Sequence, residues 1–375
     1  MRALVITWAP GGNLPPLLAV ASVLGRRGHH VSVLASGETR GPAARLGFDV
    51  TVYRRTPDPD VTVAFEEQAE SLMATMAGQA IALDAHDAIY ALRPDLVVVD
   101  CMLPAAIAAG RASGTPTASL VHFLYGPARK QMLRGGGSWT TDLRTLAATQ
   151  RALGLAPARD GVAAWEAPEL LVVGAPRWMD LADEFPPHVV HAGPLGVAGS
   201  SQRRGVDRGR VLVSFSTTVM HGQLALIERV CQALAGIDRD AVLTLGPAVD
   251  RQSVRVPERV EVVGFADHDR LMPGAGAVIG HGGLGTVLRA LAHGVPQLLL
   301  PLGRDQAFNA GRVEQLGGGL ALPASAAPEA IRAALDRLLK EPRFAAEAAR
   351  LADRIAAEHP DRRAAEALEC VARRR

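Results

Sequence analysis

Between Gly280 and Ala310 the chain reads GHGGLGTVLRALAHGVPQLLLPLGRDQAFNA. His281 and the glycines Gly282, Gly283 and Gly285, closed by Thr286, stand between an apolar run and a helix expected over Val287–His293. Glycines at such a corner let the backbone approach a ligand closely. The opening turn of the following helix offers unpaired N–H groups and the positive end of a dipole, which is chemistry for a pyrophosphate. His281 adds a side-chain donor. A second apolar run then leads through Pro301 to Asp305 and Gln306, a carboxylate and an amide suited to vicinal hydroxyls. Phosphates with hydroxyls beside them point to a sugar nucleotide.

The same stretch satisfies another pattern. Gly280, Gly282 and Gly285 fit G-x-G-x-x-G after a strand, and Asp305 lies 20 residues beyond Gly285, as in a dinucleotide fingerprint. The position in the second half of the chain, the histidine at a variable position and an acid placed four residues past Pro301 all disfavour an NAD-dependent dehydrogenase.

The elements that must hold these residues follow from the rest of the sequence. At 375 residues, two domains are expected. Apolar residues make up 48% and charged residues 21%, with a net charge of +2, so neither nucleic acid nor a stable membrane contact is expected. Cys101, Cys231 and Cys370 are far apart and match no metal spacing, and neither a D-x-D triplet nor a His/Cys/Asp cluster is read as a metal site. With no run of 18 apolar residues and no visible signal peptide, a cytoplasmic protein is expected.

Short Val/Leu/Ile runs alternate with Ala-rich helical stretches, the pattern of βαβ units and a parallel sheet. Strands are expected at Ala3–Thr7, His30–Ala35, Leu96–Asp100 and Thr117–His122, with helices over Pro15–Arg27, roughly Ala64–Leu92, and Thr141–Gly154. Arg54–Asp60 and Arg134–Trp139 read as loops, and His29 and His30 as residues capping the first helix's dipole. The stretch 196–209 is polar and aperiodic, a linker, after which RVLVSFS restarts the alternation. The fold expected is α/β: two Rossmann-like, doubly wound domains, 1–195 and 210–358, facing an interdomain cleft, and a last helix in 359–375 that crosses back to the first domain.

The glycine-rich block resembles the donor-binding motif of the GT-B glycosyltransferases of family 1, particularly the bacterial enzymes that decorate antibiotic aglycones. Their pattern is H-x-G-G-x-G-T or close to it, then G-V-P, then P-x-x-x-D-Q-x-x-N-A. Here it stands as His281-Gly282-Gly283-Leu284-Gly285-Thr286, Gly294-Val295-Pro296, and Pro301 to Asp305-Gln306 and Asn309-Ala310. Weaker matches at His191–Gly196, around Phe215–Thr218 and over Val260–Gly283 extend the likeness over most of the chain. The resemblance implies that His281, the Gly282 and Gly283 amides and Thr217 hold a diphosphate. It implies that the backbone at Phe265 and Ala266 meets the base, and that Asp305 and Gln306 meet the sugar. Ser216 stands where the family has glycine, so the roles of Ser216, Thr217 and Thr218 are not separated. The resemblance further implies transfer with inversion of a (deoxy)sugar from a TDP- or UDP-sugar, with no bound cofactor.

One departure concerns the base. In the family the N-terminal corner reads G-H-x-x-P, and its histidine deprotonates the acceptor. Here Gly12-Asn13-Leu14-Pro15-Pro16 puts an amide there, which can orient an acceptor but cannot take its proton. The base then comes from elsewhere, with Asp100, matching the family acid, and His122 as candidates. Otherwise the acceptor is acidic enough to need little help, or the protein is a catalytically silent helper that binds nucleotide and aglycone. The acceptor, a small natural-product aglycone, is expected on the first domain near Phe65–Met76 and Trp139. Association as a homodimer is left open.

Overall fold

The computed structural model describes residues 1–8, 11–60, 62–134, 141–181, 184–197, 209–246, 249–264 and 266–374. Most of the expected linker, the loop at 135–140 with Trp139, and Phe265 lie outside the described residues. The chain divides into two compact units. One comprises Met1–Asp60, Glu66–Gly196 and His359–Arg375, and the other Val61–Phe65 and Val197–Glu358.

The first unit is built on seven parallel strands: β1 (Arg2–Ile6), β2 (His30–Ala35), β3 (Asp49–Val52), β4 (Leu96–Asp100), β5 (Thr117–Val121), β6 (Leu170–Val173) and β7 (Val189–His191). Their order is β3-β2-β1-β4-β5-β6-β7, with Ile6 in register with Leu34 and Val99, and Asp100 with Leu120. Helices cover both faces, which is why β4 and β5 are apolar almost without alternation and wholly buried. One face packs Val5, Val33 and Val98 on Leu17 and Leu24; the other packs Leu4, Ile6 and Val97 on Ile81 and Ile107.

The long helix expected over 64–92 is two helices, Phe65–Ala77 and Gln79–Leu92. Gly78 adopts an extended conformation (φ −81°, ψ 160°) and caps the second. The rings of His29 and His30 do not cap the first helix, which ends at Arg26, although the His29 N–H donates to the Leu24 carbonyl at 3.1 Å. His30 opens β2. His29 instead meets Glu369 Oε1 at 2.9 Å, where Arg27 also donates from Nε at 2.6 Å. These bonds tie down the last helix, Pro360–Ala372, whose Leu368 and Ala364 are buried in the first unit's core. The turn into that helix uses His359 in the left-handed region (φ 48°), and Pro360 cannot continue the preceding helix.

The second unit repeats the plan with β8 (Arg210–Ser214), β9 (Ala241–Thr244), β10 (Val260–Val263), β11 (Ala275–Gly280), β12 (Gln297–Leu299) and β13 (Gly319–Ala321), all parallel. The order β10-β9-β8-β11-β12-β13 matches the first six strands of the other sheet. Val213, Ile279 and Leu298 are buried with Leu226, Ile331 and Leu335. Among the described residues no helix is long and apolar enough to cross a membrane.

Candidate active site

In a doubly wound sheet the strand order reverses between the first and fourth strands. Loops leaving the carboxyl ends of those two strands part there and leave a crevice for ligands. In the first unit this switch point lies between β1 and β4, in the second between β8 and β11. Each unit places candidate residues at its own switch point.

After β1 the chain turns through Gly11 and Gly12 to Asn13, which begins the helix Leu14–Arg26 without capping it through its side chain. The Asn13 amide donates to Asp100 Oδ2 at 2.7 Å. Asp100, the last residue of β4, is 2% exposed. Its Oδ1 accepts from the Met102 N–H at 3.0 Å and lies 3.1 Å from His122 Nε2. His122 follows β5, two residues beyond Leu120, the register partner of Asp100. The three candidate catalytic residues are therefore one hydrogen-bonded cluster with the carboxylate at its centre.

Burial works against charge on both members of the Asp100–His122 pair. For His122 burial is outweighed by its interactions with Cys101 and Asp100, which hold the imidazole well above the ordinary histidine range. For Asp100, burial is outweighed by His122 and by the bonds from Met102 and Asn13, and the carboxyl is lowered. An ion pair is the resting state that these directions describe.

Here the structure corrects one expectation. A His/Cys/Asp cluster does exist: one ligand atom each from Asp100, Cys101 and His122 lie within 4.8 Å of one another. Sequence spacing hides it because the strands β4 and β5 that carry it are joined by a whole helix, Pro104–Ala112. Cys101 also lines a small apolar hollow with Met73, Met76, Met102, Met132 and Trp165. The SLMATM helix thus borders the cluster, as does Trp165, which sequence reading did not single out.

At the second switch point β8 runs out through Phe215 to Ser216, Thr217 and Thr218, and β11 runs out to His281. The structure separates the three hydroxyl residues. Ser216 is buried, its Oγ accepts from the Thr218 N–H at 3.1 Å, and its carbonyl accepts from Gln223 at 3.1 Å. Ser216 thus builds the turn, while Thr217 is exposed at its tip. Gly282 takes φ +87°, where a side chain would be strained. A Cβ on Gly283 would stand 2.6 Å from His281 Nε2, so glycine there keeps that edge of the ring open. The helix begins at Leu284, earlier than expected, which puts Gly285 and Thr286 in its opening turn. The N–H groups of that turn have no intrahelical partner. His281 is 8% exposed, and its Nδ1 is buried with no hydrogen-bond partner. Burial, only partly opposed by the Ser214 backbone and reinforced by the charge of Arg304, pushes its imidazole down to about 4, so the ring is neutral at pH 7.

Asp305 precedes the helix Gln306–Gln315, and its Oδ2 accepts from Asn309 Nδ2 at 2.9 Å. The same Asn309 nitrogen donates to the Gly282 carbonyl at 2.9 Å, tying the Asp-Gln segment to the glycine loop. Gln306, expected beside the sugar, has its side chain engaged within the loop. It is buried, and its Oε1 accepts from the Leu302 and Gly303 N–H groups at 2.8 and 3.1 Å. Its amide shapes the loop that presents Asp305. Ala266, half-buried, lies between β10 and the short helix His268–Leu271.

Arg304 was not among the sequence candidates. It holds a left-handed backbone (φ 56°), sparsely populated for a residue with a side chain, and its Nη1 donates to Thr218 Oγ1 at 3.3 Å. It thereby links the loop after β12 to the loop after β8, beside His281. The only sequence signal was a cation next to the Asp-Gln pair.

Comparison with known proteins now has a geometry to meet. Residues 228–370, which include the whole glycine-rich block, match the family model described as Erythromycin biosynthesis protein CIII-like, C-terminal domain. The glycosyltransferase VinC, solved in complex with DTDP, has the same fold over 100% of both chains, with a TM-score of 0.75 at 22% identity. The chain has the GT-B fold. Among curated relatives of this GT-B type, the 3-alpha-mycarosylerythronolide B desosaminyl transferase of Saccharopolyspora erythraea is 29% identical over 301 residues, 71% of this chain and 66% of that protein. The elloramycin glycosyltransferase ElmGT of Streptomyces olivaceus is 38% identical over 165 residues, 43% of this chain and 41% of that protein. The matched stretches thus span less than two thirds of these relatives' own lengths.

Proposed function

We propose that the protein transfers a sugar, with inversion, from a nucleoside diphosphate sugar to a small natural-product aglycone, with TDP as the favoured nucleotide. The observation that carries this reading is the second unit's corner. There a neutral, buried His281, two close-approach glycines, a helix N-terminus and Arg304 converge at a switch point. That is a site for a diphosphate with one fixed cation beside it. VinC's complex with DTDP and the two relatives' names, a desosaminyl transferase and an elloramycin glycosyltransferase, support the choice of ligand.

In this reading the Gly282 and Gly283 amides, the opening amides at Gly285 and Thr286, His281 and Thr217 bind the diphosphate. Arg304 and Thr218 face its growing charge. The backbone around Phe265 and Ala266 takes the base, and Asp305 takes sugar hydroxyls. Fixed donors aimed at leaving oxygens are each worth roughly 3–4 kcal/mol in the transition state.

The first unit supplies the base. Asn13 and Asp100 orient His122, and once its ring is neutral His122 accepts the acceptor's proton as the acceptor's oxygen or nitrogen bonds to the anomeric carbon. The bond from that carbon to phosphate breaks on the opposite face, and the nucleoside diphosphate leaves with the electron pair. The Asp100 carboxylate stabilises the imidazolium that forms. The His122–Asp100 pair favours a catalyst over a silent helper, since a helper has no use for an oriented imidazole. Incubation with TDP- and UDP-hexoses and a panel of polyketide aglycones, read by mass spectrometry, tests it. One added hexose mass with release of free nucleotide is expected, and nucleotide binding with no turnover on any acceptor would favour the helper.

A further inference from the structure

We propose that Asp100, Cys101 and His122 form a binding site for a soft divalent cation of the zinc type, and that an ion there blocks the proposed base. The site needs three donors of the right chemistry, close enough to share an ion, with a way in. A thiolate, an imidazole and a carboxylate are the donor types that zinc selects, in sites with three protein ligands and one open position. Here the three ligand atoms lie within 4.8 Å of one another. The Asp100 Oδ1 to His122 Nε2 separation of 3.1 Å is close to the edge of a zinc tetrahedron, about 3.4 Å for ligands at the usual bond lengths. Cys101 is 5% exposed and borders a small hollow lined by Met73 and Met102, so its sulfur faces a space and not packed backbone. The Asn13 amide and the Met102 N–H already hold the carboxylate in place, the outer-shell support that metal ligands need.

Binding proceeds by loss to solvent of two protons, that of the Cys101 thiol and the one that His122 Nε2 shares with Asp100. The ion takes the sulfur's lone pair, a carboxylate oxygen and the His122 Nε2 lone pair, so the ring loses its Asp100 hydrogen bond and, drained of charge by the ion, has in Nδ1 too weak a base for proton transfer. The binding claim stands on geometry alone, while the inhibition rests on the proposed role of His122.

The test uses the full chain carrying Cys370→Ser, which removes the exposed thiol. The protein is stripped with chelator and titrated with Co2+, whose thiolate charge-transfer absorption reports a cobalt–sulfur bond. One equivalent should produce the band, and Zn2+ should displace it. Cys101→Ser and Cys101→Ala should abolish it and weaken zinc uptake by more than the roughly 10–100-fold that loss of an outer-shell partner costs. Circular dichroism checks that both variants fold, and His122→Gln, which should also weaken uptake, serves if they do not. No band in the parent protein, or an unchanged band in the variants, overturns the proposal. Sugar transfer by metal-free protein is measured separately. A band without transfer on any acceptor leaves the ion site standing and removes the function, whereas transfer indifferent to zinc with no band does the reverse.

Discussion

The Asn13 side-chain amide donates to Asp100 Oδ2 at 2.7 Å, on the carboxylate oxygen opposite the one that meets His122. An amide in that position fixes the carboxylate but has no basic lone pair to offer, so proton transfer in the proposed reaction falls to the ring on the other side.

Substitutions in the cluster should therefore separate by role. His122→Ala should lower kcat by about 10²–10⁴, the usual worth of a positioned general base. Asp100→Asn should approach that loss, because the imidazolium forfeits its counter-charge. Asn13→Ala should cost about tenfold or less, since it removes one neutral hydrogen bond. Steady-state kinetics on one aglycone, with kcat and KM reported separately, checks the ranking.

The pH profile follows from the same pair. His122 is held well above the ordinary histidine range by Cys101 and Asp100. Only the neutral ring accepts a proton, so transfer should rise with pH through an apparent pKa above 6.5. A rate profile measured in His122→Gln should lose that rise.

His281 carries an opposite shift. Its pKa falls from 6.5 unfolded to about 4 folded, so below 6.5 the unfolded chain binds the extra proton. The stability it contributes is complete above 6.5 and is lost as pH falls toward 4. Denaturant midpoints of the protein and of His281→Gln between those two pH values should converge as the pH drops.

In the same corner, His281→Ala should weaken diphosphate binding by roughly 1.5–3 kcal/mol, one hydrogen bond to a charged group. Gly283→Ala should cost as much without removing a donor, because its methyl would stand 2.6 Å from His281 Nε2. Arg304→Ala should lower affinity for the diphosphate more than for the nucleoside monophosphate. Calorimetry with TDP and TMP reads all three variants.

Gln306 and the last helix are predicted to act on stability. Gln306→Ala leaves the Leu302 and Gly303 N–H groups without their acceptor, at about 1–3 kcal/mol. Leu368→Ala removes a fully buried side chain from the first unit's core, at about 2–5 kcal/mol. Urea unfolding monitored by circular dichroism gives both values.

Much of this was legible in the sequence because parallel strands buried on both faces write themselves as apolar runs. β4 was read residue for residue at Leu96–Asp100 and β2 at His30–Ala35. The short edge strands β7 and β13, three residues each, carry too few apolar positions to signal a period. The His281 block was legible because its parts are contiguous. Cys101 as a partner of His122 was not, because the contact exists only once β4 and β5 pair. Nor could residue type distinguish Gln306 facing a sugar from Gln306 folded back on Leu302. Arg304 needed its backbone conformation to stand out.

The central claim is that the His281 corner holds a nucleoside diphosphate, and calorimetric titration of the purified protein with TDP, UDP, GDP and NAD in parallel tests it most directly. Selective binding of TDP or UDP, lost in His281→Ala, is the predicted result. Binding of NAD, or of none of the four, would contradict it.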